Sequence, residues 1–218
     1  MIEYIIPENP DDRILKRASE AMRAGGLVCF PSDTHWVVAA STCSKKGIDA
    51  LYEFKGAEKG KHFSMMCNSI SEASQYGVIY DHAFKLVKRC LPGPYTFIFS
   101  PTKEIPRAIR GYRKENEIGI RIPKNVFCQR LVQMHGEPLV TSSLTMQMLK
   151  QTHIGITVDE GQPIYSYQLE EAYGHLFALI IDPGEFEFLG ESSVVSFATD
   201  DGIPIVLRQG AGDISFFQ

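Results

Sequence analysis

The residues of this chain that could do chemistry are hydroxyls, lysines and arginines set at the ends of short apolar runs. Phe30-Pro31-Ser32-Asp33-Thr34 places two hydroxyls and a carboxylate directly after such a run. Ligands of open α/β sheets bind where loops leave strand ends, so Ser32 and Thr34 are candidates to hold a small polar ligand. Ordinary turn chemistry explains the same residue types. Lys55, Lys59, Lys61 and His62 share a segment with Gly56 and Gly60. Ammonium groups are mobile point charges with three donors each, which suits phosphate, although such a run also reads as a solvated loop. In Leu91-Pro92-Gly93-Pro94-Tyr95-Thr96 a rigid turn delivers Thr96 to the start of a strand. Ile118-Gly119-Ile120-Arg121-Ile122-Pro123 sets an arginine inside an apolar strand, on the face opposite the isoleucines. Arginine is rarely buried unpaired, so Arg121 either meets solvent or points into a cavity that takes an anion. Pro138 to Ser143 ends in the consecutive hydroxyls Thr141, Ser142 and Ser143, and Val206-Leu207-Arg208-Gln209-Gly210 brings Arg208 to a strand end before a glycine-rich turn.

These groups need elements to position them. The sequence predicts a helix from Asp11 or Asp12 to Ala24, with Ile14, Leu15, Ala18 and Met22 on one face and Gly25-Gly26 as the stop. Leu27–Phe30 reads as a buried strand, Lys46–Phe54 as a helix, and Phe63–Cys67 as a strand. Ser69-x-x-Glu72 is a capping box opening a short helix, His82–Cys90 is helical, and the Pro-Gly-Pro turn ends it. Tyr95–Phe99, Ile118–Ile122, Leu139–Thr141, Phe177–Ile181, Ser193–Phe197 and Ile205–Leu207 are predicted strands, with a helix over Val126–His135. Strands interleaved with helices define an α/β or α+β sheet protein, expected as one domain over residues 1–218. Met146–Tyr173 is the least legible stretch and reads as a variable excursion.

Composition bounds the function. The net charge of -4 is not that of a dedicated nucleic-acid binder, although it leaves room for a local basic patch. Five cysteines without a C-x-x-C pair argue against a disulfide scaffold and a zinc ribbon. Six scattered histidines form no H-E-x-x-H, and neither a G-x-S-x-G elbow nor a Walker A loop occurs. No signal peptide or membrane-length apolar run is visible, so the expected location is cytoplasmic, without membrane partners.

In order and spacing, these segments resemble the YrdC/YciO family. Pro31 to Val37 partly matches its opening P-T-[DE]-T-x-Y-G. Leu91 to Thr96 matches x-P-G-P-x-T, Ile118 to Pro123 matches [IV]-G-[VI]-R-x-P, Pro138 to Leu144 matches P-[LM]-x-x-[TS]-S-[AL], and Val206 to Gly210 matches V-x-R-x-G. The resemblance implies a twisted mixed parallel and antiparallel sheet flanked by helices, with a concave electropositive face. It also implies synthesis of threonylcarbamoyl-AMP for tRNA modification: threonine and bicarbonate give a carbamate, which attacks the α-phosphorus of ATP and releases pyrophosphate. ATP would then meet Lys55, Lys61, Thr96, Ser142 and Arg208. Ser32, Thr34, Arg121 and Ser143 would hold threonine or the carbamate, and magnesium would arrive with ATP rather than at a protein metal site. The chain departs from the catalytic branch where K-x-R-P becomes Lys55-Gly56-Ala57-Glu58, where S-A-N becomes Ser142-Ser143-Leu144, and at Trp36 and Val37. These departures make it more similar to the YciO branch. The competing expectations are a non-catalytic protein that binds tRNA, double-stranded RNA or the ribosome through the same face, and a nucleotide or metabolite sensor.

Overall fold

A computed structural model describes residues 1–56, 63–111, 117–150, 163–199 and 202–217. The strands are β1 (Ile2–Tyr4), β2 (Leu27–Pro31), β3 (Trp36–Ser41), β4 (Ser64–Met66), β5 (Tyr95–Phe99), β6 (Ile118–Arg121), β7 (Leu139–Ser143), β8 (Phe177–Asp182), β9 (Ser193–Ser196) and β10 (Ile205–Arg208). The helices are α1 (Asp12–Arg23), α2 (Lys45–Phe54), α3 (Ile70–Tyr76), α4 (Asp81–Cys90), α5 (Arg107–Arg110), α6 (Val126–His135), α7 (Met146–Lys150) and α8 (Ser166–Tyr173). The strands form one mixed sheet in the order β1-β8-β2-β3-β7-β4-β6-β5-β9-β10. β1–β8, β2–β8, β4–β6 and β5–β9 are parallel, and the remaining neighbours are antiparallel. The expected mixed sheet flanked by helices is what the structure has.

Local chemistry starts and stops these elements where the sequence marks them. Asp11 Oδ1 accepts from Arg13 N at 2.8 Å to cap α1, Ser69 Oγ accepts from Glu72 N at 3.1 Å to cap α3, and Asn125 Oδ1 accepts from Cys128 N at 3.0 Å to cap α6. Gly136 ends α6 at φ 77°, a conformation that glycine adopts without penalty.

The strand registers explain why one part of the sheet is covered and another open. Paired residues share a face. On one face Val28, Phe30, Val37, Ala39, Leu139 and Met66 pack under Leu15, Ala18 and Met22 of α1 and Phe127, Leu131 and Val132 of α6. The register carries that same face onward through Thr141 and Ser64, Gly119 and Arg121, Ile98, Thr96 and Val194. There the side chains become small or polar and line a pocket. On the opposite face Val140, Met65, Ile120, Phe97, Phe99 and Val195 join a continuous core with residues of α2, α3 and α4. The aromatic content of β5 therefore anchors the sheet from behind, while Thr96 and Ile98 look forward.

β1, β3, α5 and the helices within the expected excursion were not foreseen. Trp36–Ser41 is a fully buried strand central to the sheet, opened by the strand formers Trp36, Val37 and Val38. Within the stretch expected as an excursion, α7 and α8 are regular helices; residues 151–162 lie outside the described ones. No helix among the described residues is long and apolar enough to cross a membrane.

Candidate functional site

The open part of the sheet is a concavity of about 440 Å³. Its floor is Ser64, Thr96, Gly119, Thr141 and Val194; its cations are Lys55, Arg121 and Arg208; its one carboxylate among the described lining residues is Glu191. The sequence-predicted Lys55, Thr96, Arg121, Ser142, Ser143 and Arg208 all border it, drawn together from points up to 153 residues apart (55 to 208). Lys61 lies outside the described residues, as do Ala57 and Glu58.

Each cation is held differently. Lys55 follows α2 as its C-cap, and its Nζ sits 4.5 Å from the centre of the Phe63 ring, a cation–π contact. Arg208 Nε donates to Ser192 O at 3.0 Å and its Nη2 to Ser192 Oγ at 3.1 Å, and Nη1 lies 3.5 Å from Glu191 Oε2. Ser192 Oγ also lies 3.0 Å from Thr96 Oγ1, so the hydroxyl that the Pro-Gly-Pro turn delivers is joined to the Arg208 anchor. That turn requires Gly93, because a Cβ there would meet Cys90 O at 2.3 Å, and Gly93 N donates to Ile122 O at 3.0 Å.

Arg121 is the most constrained. Its Nη2 donates to Asp33 Oδ1 at 2.9 Å and to Thr34 Oγ1 at 2.8 Å, and Asp33 Oδ2 accepts from Lys124 N at 2.9 Å. Both side chains of the ion pair are nearly inaccessible, 4% and 3% exposed. Burial raises the Asp33 carboxyl above the ordinary carboxylate range and lowers the Arg121 guanidinium, and each charge opposes the other's shift. Arg121 Nε is buried and hydrogen-bonds to none of the described residues. A buried guanidinium N–H without an acceptor is rare in folded proteins, so the packing of the described residues around Arg121 leaves one of its donors unused. Arg121 does not meet solvent: it borders the pocket with its guanidinium paired to the buried carboxylate of Asp33.

The opening motif divides. Thr34 serves the site through Arg121, whereas Ser32 does not border the pocket. Its Oγ donates to His35 O at 2.7 Å and accepts from the backbone N–H groups of Thr34 and His35 within a tight turn. Strand alternation puts Ser143 on the pocket face with Thr141, while Ser142, which also borders the pocket, pairs with Val38 on the other face. Sequence reasoning passed over Asp33 as a partner, and missed Glu191, Ser192 and Gln147. The hydroxyl pair Ser192-Ser193 at the start of β9 carries the same signal as Thr141–Ser143 and could have been found by it.

The architecture is a mixed α/β sheet protein with cations and hydroxyls gathered around one pocket of its open face. The chain belongs to the Sua5/YciO/YrdC family: the family model, described as telomere recombination, matches residues 20–210. It is 31% identical over 214 residues to the uncharacterized protein YciO of Escherichia coli K12, covering 98% of this chain and 97% of that one. The crystal structure of E. coli YciO superposes with a TM-score of 0.84 at 29% identity, covering 100% of this chain and 99% of that one. The threonylcarbamoyl-AMP synthase of Bos taurus is 29% identical over 170 residues, which is 78% of this chain but 56% of the synthase. The fold is shared with P. abyssi Sua5 complexed with L-threonine, at a TM-score of 0.77 and 23% identity over 96% of this chain and 57% of that one.

Proposed function

We propose that this chain binds ATP and an amino acid, L-threonine being the one for which its synthase relatives are named, and forms a carbamoyl-adenylate. The observation that carries the reading is the gathering of Lys55, Arg121 and Arg208 with the hydroxyls of Thr96 and Ser143 around one pocket, Arg121 being fixed by Asp33 and Thr34. In the reaction, the amine and bicarbonate give a carbamate and water. A carbamate oxygen then attacks the α-phosphorus, the bond from that phosphorus to the β-phosphate oxygen breaks, and pyrophosphate leaves. The nucleophile is the carbamate itself, so the protein's part is to align two anions that repel each other and to neutralise charge in line. Arg121 suits the carboxylate end; Lys55, Arg208 and the hydroxyls of Thr96 and Ser143 suit the phosphates. Glu191, already engaged by Arg208, is the lone carboxylate among the described lining residues, so magnesium would be held chiefly by the phosphates of ATP.

Pyrophosphate release from ATP, measured with bicarbonate and with or without amino acid, tests this. Amine-dependent release supports the reading. ATP hydrolysis or binding that ignores the amine overturns it, and binding of RNA that weakens steeply with salt would identify the face as a phosphate-backbone surface instead.

A further inference from the structure

Glu191 is out of character with the pocket it borders. Lys55, Arg208 and the hydroxyls there suit phosphate, and a carboxylate on the same wall repels it. Its placement is specific. Arg208 donates to Ser192 from Nε and Nη2, and Nη1, the remaining nitrogen, faces Glu191 Oε2 at 3.5 Å. That separation exceeds hydrogen-bond length, and the two side chains are 43% and 56% exposed, so the pair is loose. The backbone beneath it is not. Ala211 N donates to Glu191 O at 2.7 Å, a Cβ on Gly210 would meet that carbonyl at 2.2 Å, and Ser192 is buried. A fixed main chain thus sets a loosely held carboxylate over the edge of Arg208 that a phosphate oxygen would use.

On its other side Glu191 borders a second cavity, of about 880 Å³, so the carboxylate has room to turn away from Arg208. The residues that border both cavities are Thr145, Gln147 and Glu191, and each carries an oxygen donor. A hydroxyl, an amide carbonyl and one carboxylate are hard ligands of the kind that join phosphates around magnesium, which keeps several waters and needs only one or two carboxylates. A metal-free phosphate that reaches Arg208 meets the Glu191 charge and must displace it. When the phosphate carries a divalent cation, the same carboxylate changes from competitor to ligand, and Arg208 Nη1 is released to the phosphate. We propose that Glu191 sets the specificity of this pocket, disfavouring metal-free phosphates and admitting those that carry a divalent cation, of which Glu191 is a protein ligand. Phosphates and water complete the cation's shell. The inference rests on the phosphate-binding reading of the pocket and deepens it.

Calorimetric titration with ATP and with inorganic pyrophosphate, each in magnesium and in EDTA, tests it on the parent and on Glu191→Gln, whose folding is checked by its thermal transition. The parent should bind each ligand about tenfold or more tightly with magnesium. Glu191→Gln should bind the metal-free ligands about fivefold more tightly, the most that an exposed ion pair holds back, and lose most of the magnesium preference. In an Arg208→Ala background the same substitution should give no such gain, because the contested donor is gone. A parent without the preference, a preference that survives in Glu191→Gln, an equal gain in the Arg208→Ala background, or a parent that binds neither ligand would overturn the proposal. Pyrophosphate release separates the two readings. A magnesium preference governed by Glu191 without amine-dependent release leaves this role and removes the synthase reading. Amine-dependent release with the preference unchanged in Glu191→Gln leaves the synthase reading and removes this role.

Discussion

Replacing Asp33 by asparagine probes the feature on which the site depends. The substitution keeps the shape and an acceptor for Lys124 N, 2.9 Å away, but removes the charge that compensates a guanidinium only 4% exposed. Breaking a buried ion pair costs about 3–5 kcal/mol, and the retained hydrogen bonds place Asp33→Asn at the low end, about 3 kcal/mol. For a chain of this size that is roughly 6–12 °C in Tm. Arg121→Met leaves the opposite orphan, a buried carboxyl without its cation, and should also destabilise by about 3 kcal/mol. The double variant Asp33→Asn, Arg121→Met buries neither charge and should return to within about 1 kcal/mol of the parent. Urea denaturation of the four proteins at neutral pH, with binding of ATP and amino acid measured in parallel, reads out both effects. Asp33→Asn should weaken amino-acid binding through a loosened Arg121. Both proteins lacking Arg121 should lose that binding whether or not stability recovers. Asp33→Asn within about 0.5 kcal/mol of the parent, or a double variant no more stable than Asp33→Asn, would refute the pairing as the organiser of the site.

Arg208→Ala removes a guanidinium that Ser192 holds at the pocket and should weaken ATP binding about ten- to hundredfold by calorimetry, the worth of charge-assisted hydrogen bonds. Gly119→Val adds a Cβ 3.4 Å from Phe63 O and 3.5 Å from Thr96 Cγ2, ordinary contacts, while its methyls fill the pocket floor. The protein should remain folded, with ATP affinity lowered at least about tenfold. His135 is buried between Ser19 Oγ at 2.8 Å and Ser41 Oγ at 3.0 Å, and burial holds its pKa below the ordinary histidine value. The unfolded chain therefore binds the proton first as pH falls through about 6.5, and the stability present above that pH is lost below it. Denaturation at pH 7.5 and 5.5 should show that loss, reduced in His135→Gln.

Much of the scaffold was legible because the same residues that form each element also mark its ends. Asp11, Ser69 and Asn125 cap the helices they precede, and Gly25 and Gly136 stop those they follow. Alternation along β6 was enough to separate Arg121 from its isoleucines. It could not name Asp33, 88 positions away, because a long-range ion pair leaves no local trace. The same limit hid the Thr96–Ser192–Arg208 cluster, which forms only when β5, β9 and β10 align. β3 was missed because a strand buried on both faces shows no alternation, although Trp36, Val37 and Val38 are strong strand formers. Ser142 and Ser143 could not be told apart until the β3–β7 register assigned their faces. Ser32 looked like a ligand group because turns and binding loops draw on the same residues.

The most direct test of the account is the product itself. The protein is incubated with ATP, magnesium, ¹³C-bicarbonate and an amino acid, and the nucleotides are resolved by mass spectrometry. The account predicts an adenylate carrying the amino acid and one labelled carbon, formed by the parent and absent from Arg121→Met. Recovery of ATP and AMP alone, from parent protein shown in the same sample to bind both ATP and the amino acid, would contradict it.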